Sequence, residues 1–260
     1  MHLGILTDPL KDPLTQIRWA AEHEFDYVDL QIAAPAVALE TTDWKAIGQA
    51  AADAGLDLIC YAGSDFVINN PSPAIRQAAL NELRRCVDAA QIVGASLLTT
   101  RFLRWPAFLD EATGYEYYRQ LYEILLGHGK ERGVAIALEN SAQNFHQLKW
   151  FREIFFRLPE LKLLYNIGNG NVETRQSMTR DYLFALADRL AQVHISDNDG
   201  SRPDRLPLNA PATGGLDWQW ELRTLRSFNY DGPITIDVAG DRRWLVGSSE
   251  LIRELWSKAA

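Results

Sequence analysis

Four side chains of the types that bind metals and move protons stand at the ends of short apolar runs: Glu139, Asn166, His194 and Asp237. The first sits in Leu138-Glu139-Asn140, the second opens Asn166-Ile167-Gly168-Asn169, and the other two lie in later runs. Two carboxylates, an amide and an imidazole make a mixed oxygen and nitrogen donor set suited to Mn, Mg or Zn. Each residue has a plainer reading on its own: Glu139 as a solvated loop acid, His194 as a hydrogen-bonded core residue, Asp237 as a helix cap. Their joint placement at successive strand ends favours one shared pocket, with a divalent metal as its cofactor.

A second group lies upstream. The stretch Thr100-Arg101-Phe102-Leu103-Arg104-Trp105 puts Arg101 at a strand end, where its planar fork suits a substrate carboxylate or phosphate. The other reading pairs Arg101 with Glu139 or Asp237 and leaves Arg104 at the surface. Tyr61, Phe66 and the aromatics after Arg101 offer an apolar wall to a sugar face or, more commonly, core packing. Asp197 follows His194 closely enough to orient a ligand or bind a hydroxyl, whereas Asp199 before Gly200 reads as turn chemistry. Tyr61, Arg101, Asn169 and Asp197 are therefore the expected substrate contacts.

Such residues need a scaffold that brings strand ends together. Eight apolar runs recur along the chain: His2 to Thr7, Tyr27 to Ile32, Leu56 to Tyr61, Ser96 to Arg101, Val134 to Glu139, Lys162 to Ile167, Leu190 to Ser196 and Ile234 to Val238. Most are continuously apolar, the pattern of parallel strands covered on both faces. Between them, Asp12 with Pro13, Ser72 with Pro73, and Asp217 set helix starts, while Gly55, Gly94 and Gly133 mark helix ends. Strict alternation of eight strands and helices predicts an α/β fold, a (β/α)8 TIM barrel, as one domain over residues 1–260. No glycine fingerprint follows the first strand, which weakens a dinucleotide-binding sheet. The longest irregular stretch, Asp197 to Gly215, falls on the face where barrel enzymes keep their sites.

Composition sets the outer bounds. The chain has 34 acidic and 26 basic residues, a net charge of -8, and no Lys or Arg stripe able to follow a phosphate backbone, so nucleic acid is a poor partner. Cys60 and Cys86 lack CxxC spacing or a nearby His and read as buried free thiols of a reducing cytoplasm. No basic leader with a long apolar stretch opens the sequence, and no run reaches the ~18 apolar residues of a membrane span. The expectation is a cytoplasmic protein with no membrane partner; a homo-oligomer is left open.

The stretches ALENSAQNF, YNIGNGN, VHISDNDG, GGLDW and YDGPITIDV resemble, over nearly the whole chain, the xylose-isomerase-like barrels. That family includes sugar phosphate isomerases and epimerases and, further off, endonuclease IV. Its members typically show LEN, DxGH, HxxD and a terminal Glu, whose Glu, Asp, His and Glu bind one metal. Glu139 and His194 match directly. The resemblance implies Glu139, Asn166, His194 and Asp237 as the metal ligands, with Glu139 and Asp237 also the acid/base pair that moves a proton α to a carbonyl.

Three departures stand out. Asn166 and Asn169 replace an Asp and a His, Asp237 replaces a Glu, and the DxHLPLGEG-like loop has become PDRLPLNAPATGG, which keeps Asp204 and lacks the His. Asn166 is a neutral donor, so the set falls from three formal negative charges to two, metal affinity drops and occupancy comes into doubt. Asp237 is shorter by one methylene, which withdraws its carboxylate by ~1 Å, a misplacement able to cost about a hundredfold in rate. Histidines for further zinc ions are missing, which argues against a multinuclear nuclease. The expected function is a metal-assisted isomerase or epimerase of a small sugar, sugar acid, sugar phosphate or related polyhydroxy carbonyl compound, and the same proton abstraction could begin a dehydration. The alternative is a barrel without metal or catalysis, kept as a sugar-binding or partner subunit.

Overall fold

The computed structural model describes residues 1–63, 66–142 and 147–259. All eight apolar runs are strands: β1 His2–Leu6, β2 Tyr27–Ile32, β3 Asp57–Ala62, β4 Leu97–Arg101, β5 Ala135–Glu139, β6 Lys162–Asn166, β7 Leu190–Ile195 and β8 Pro233–Ile236. Their order is that of a closed parallel barrel, β1 through β8. The expected (β/α)8 fold is the one observed.

Helices α1 Pro13–Glu22, α2 Trp44–Asp53, α3 Pro73–Val93, α4 Glu111–Arg132, α5 Gln147–Arg157, α6 Ile167–Asn171, α7 Thr179–Leu186, α8 Trp218–Ser227 and α9 Arg242–Lys258 alternate with them. Asp12 and Asp217 cap α1 and α8 by accepting backbone N–H bonds, as their placement predicts. Ser72 is different: it precedes Pro73 but its side chain makes no capping bond, and its own N–H donates to Asn70 Oδ1. Gly94 and Gly133 end α3 and α4 with φ of 83° and 69°, backbone that a side chain would strain.

Packing divides the chain into two units. One comprises Thr7–Glu139 and Lys149–Lys162. Here β2 pairs with β3, β3 with β4, and β4 with β5, placing Arg101 opposite Glu139 in register. Its aromatic core includes Phe102, whose ring lies 5.1 Å from Phe151 and 5.2 Å from Tyr118. Phe102 and Trp105 are buried, so these rings follow the core reading. Tyr118 Oη donates to Leu103 O and accepts from Leu103 N, which pins the chain leaving β4.

The other unit comprises Met1–Leu6, Asn140–Leu148 and Leu163–Ala260. Within it β6, β7, β8 and β1 pair in succession, and Asn166, His194 and Thr235 lie side by side in register. Cys60 and Cys86 are free and buried, and burial pushes both thiols up, Cys86 to about 12. Among the described residues no helix is long and apolar enough to cross a membrane.

Candidate active site

Glu139 is the last residue of β5 and is 2% exposed. A buried carboxylate needs donors, and its own unit supplies them. Tyr61, on β3, donates its hydroxyl to Glu139 Oε2 at 2.5 Å, and Arg101 Nε lies 3.9 Å from the same oxygen. Arg101 also donates to Tyr61 Oη at 3.3 Å. Burial first, and then the Glu139 charge, push the Tyr61 phenol well above its ordinary range, so it stays a donor. Arg101 thus follows the reading that pairs it with Glu139, yet its side chain remains 45% exposed and able to meet a ligand.

Asn166, His194 and Asp237 belong to the other unit, and there the structure brings them together. Asn166 Nδ2 donates to Asp237 Oδ2 at 3.4 Å, and His194 Nδ1 lies 4.0 Å from that oxygen. Asp237 stands just past β8, held by its N–H donating to Ile195 O at 2.8 Å. Its Oδ1 meets Arg205 Nη2 as a close ion pair without the geometry of a directed hydrogen bond.

The cap chemistry of α6 explains how Asn166 is held. Its Oδ1 accepts from Asn169 N at 3.0 Å, so the side chain is the N-cap of a one-turn helix. Asn140 braces the same backbone, accepting from Asn166 N at 2.6 Å and donating to Asn166 O at 3.0 Å. Asn169 Nδ2 in turn donates to Asn140 O at 2.8 Å. Asn169, expected as a substrate contact, therefore ties Asn140 to Asn166, with its amide on one and its backbone N–H on the other.

Asp197 departs from its expected role of ligand contact. It is fully buried, and its oxygens accept from the N–H groups of Asn198, Asn209 and Leu216 and from the Trp218 indole at 2.8 to 3.1 Å. The carboxylate organises the long loop before α8, because a loop of that length needs internal acceptors for its backbone donors. Asp197 also pairs with Leu206 in an isolated antiparallel bridge, which sets the position of Arg205.

Two contributors escape the sequence reading: Asn140 as a brace and Arg205 as a cation. The signal for Arg205 is its place directly before Leu206-Pro207-Leu208, where the resembled family carries the histidine this chain lacks.

The expected divalent ion can be tested against these donors. Asn166 Oδ1 is engaged by the α6 backbone, Asp237 Oδ1 by a guanidinium, and Glu139 Oε2 by a phenol with Arg101 close by. Among the described residues no group of three or more His, Cys, Asp or Glu is arranged to hold a metal ion. A dication beside Arg205 would also meet a fixed positive charge. The side chains present do not fit the ion.

A family model described as xylose isomerase-like TIM barrel matches residues 17–257. A D-tagatose 3-epimerase-like protein aligns with 18% identity over 100% of this chain and 98% of its own, with a TM-score of 0.88. The apo form of 3-keto-D-glucoside 4-epimerase from E. coli aligns with 18% identity over 98% of this chain and 99% of its own, with a TM-score of 0.80. A Thermus thermophilus protein soaked with ZnCl2 aligns with 19% identity over 99% of both chains, with a TM-score of 0.76. At such identities these likenesses establish the fold. No curated protein matches the sequence.

Proposed function

The chain belongs to the xylose isomerase-like TIM barrels, and on that premise we propose that it isomerises or epimerises a small sugar or related polyhydroxy carbonyl compound. The observation that carries this reading is the buried Glu139 carboxylate at the end of β5, which accepts from the Tyr61 hydroxyl and has the Arg101 guanidinium beside it. The structural neighbours include proteins named D-tagatose 3-epimerase-like and 3-keto-D-glucoside 4-epimerase, which supports a sugar as the substrate class.

Glu139 removes the proton α to the substrate carbonyl and, as the acid so formed, returns it to the neighbouring carbon, so that no net proton is consumed. Proton removal leaves an enediolate, whose negative charge needs preorganised donors in a site of low dielectric. Tyr61 and Arg101 are the donors beside Glu139 that are available for it. Arg101, half-exposed, also selects substrates carrying a carboxylate or phosphate.

Incubation with aldoses, ketoses and their acid and phosphate derivatives in deuterated water tests the reading. Solvent deuterium entering the carbon next to the carbonyl, abolished by Glu139→Gln, is the expected result. Absence of exchange across the panel, with saturable sugar binding retained, would replace the enzyme with a sugar-binding barrel.

A further inference from the structure

We propose that Arg205 is the resident cation of the cluster formed by Asn166, His194 and Asp237, and that it takes over the charge-balancing role of a divalent metal. The inference deepens the function proposed above and rests on it for the chemistry the cation serves.

Three observations carry it. First, the guanidinium is aimed: Nη2 contacts Asp237 Oδ1, and Nε donates to Asp237 O at 3.4 Å. Arg205 therefore reaches both the side chain and the backbone of the residue just past β8. Second, the backbone is built to hold it there. Arg205 has φ of 53°, a left-handed conformation that a long cationic side chain rarely adopts. Ala239 N donates to Arg205 O at 2.9 Å, and Leu206 N donates to Asp197 O at 2.8 Å, so the chain just past Asp237 and the chain just past β7 fix the strained position. Strain of this kind persists only where its surroundings over-determine it.

Third, the charges balance without an added ion. Asp237 contributes one negative charge and Arg205 one positive, while Asn166 is neutral, its Oδ1 closing the first turn of α6. The two departures from the metal-binding pattern thus belong together. Loss of a carboxylate at Asn166 removes the charge that would hold a dication, and Arg205 provides a monovalent cation that cannot dissociate. A guanidinium stays protonated across the working pH range and presents several donors, so it can stabilise a developing oxyanion as a fixed electrostatic group.

Calorimetric titration with Mn2+ and with Zn2+ of the full chain, Asn166→Asp, Arg205→Gln and the double variant tests this, with melting curves to confirm folding. Wild type should show no saturable binding at millimolar metal. Asn166→Asp alone should gain little, because Arg205 remains, whereas the double variant should bind at least about tenfold more tightly than either single change, given how ligand charge tunes such sites. Arg205→Lys, which keeps the charge, should behave as wild type and guards against a result caused by local unfolding. Stoichiometric binding at micromolar metal by wild type, or equal affinities across the folded variants, would overturn the proposal. Deuterium exchange by wild type should also persist in EDTA. If no variant exchanges deuterium yet the double variant gains metal, the isomerase reading fails while the role of Arg205 stands.

Discussion

Replacing Glu221 with Gln should stabilise the protein at alkaline pH and leave it nearly unchanged in mild acid. Glu221 lies on α8 and is 1% exposed. Burial raises its carboxyl from 4.5 to about 7, against hydrogen bonds from Thr179 and Ser177 that favour the ionised form, while Asp217 and Asp197 add to the rise. Among the described residues its Oε2 has no hydrogen-bond partner. Below 4.5 both folded and unfolded chains keep the proton, so the group contributes nothing to pH dependence. As pH rises toward about 7 the unfolded chain releases its proton while the folded one retains it, and stability falls. Above that range the loss is complete, at about 3 kcal/mol.

The amide does not titrate, so its advantage over wild type should grow by about 2.5 kcal/mol between about pH 5 and about pH 8. With a urea dependence of roughly 2.5 kcal/mol per molar for a chain of this size, the midpoint difference should widen by about 1 M. Urea unfolding at both pH values, read by fluorescence and circular dichroism, provides the measurement. Comparing two pH values cancels whatever the new amide gains or loses in hydrogen bonding. An equal midpoint difference at both would mean that Glu221 is ionised in the folded state, and the burial argument would fail.

Tyr61→Phe should slow deuterium exchange by roughly ten- to a hundredfold, since a hydrogen bond to a charged group is worth about 1.5–3 kcal/mol; an unchanged rate would reduce Tyr61 to packing. Arg101→Leu should weaken binding of an acidic sugar far more than of its neutral analogue, and equal losses would assign the residue to packing. Asp197→Ala should cost at least about 3 kcal/mol, because it removes the acceptor of several buried donors. Limited proteolysis should then cut between Asp199 and Gly215, and continued resistance there would show that the loop holds without its carboxylate.

The barrel was legible in the sequence because its signals are local. A strand covered on both faces must be apolar along its length, as β5 and β7 largely are, and an aspartate before a helix must satisfy the N–H groups it faces, as Asp217 does. Glu139 and His194 stand out as candidates for a related reason: a polar residue in or closing an apolar run has little use in a core. Ser72 shows the limit of such signals, since Pro73 fixes the turn whether or not the serine caps it.

The chemistry of Asn166, Asp197 and Arg205 was decided by tertiary contacts. In the sequence Asn166 is a weakened ligand, but the fold gives its oxygen to the α6 backbone only three residues on, while Asn140 grips its main chain from 26 residues away. Asp197 looks like a ligand contact until the loop folds back and brings the Trp218 indole from 21 residues away to its carboxylate. Arg205 lies 32 residues before Asp237 in an irregular loop, and nothing local dictates that they meet. Their meeting follows from strand order, from the Asp197 to Leu206 bridge and from a left-handed backbone at Arg205. Periodicity and caps fix which residues form an element, because those forces act within a few residues. Which cation neutralises which carboxylate depends on distances set only once the chain has closed on itself.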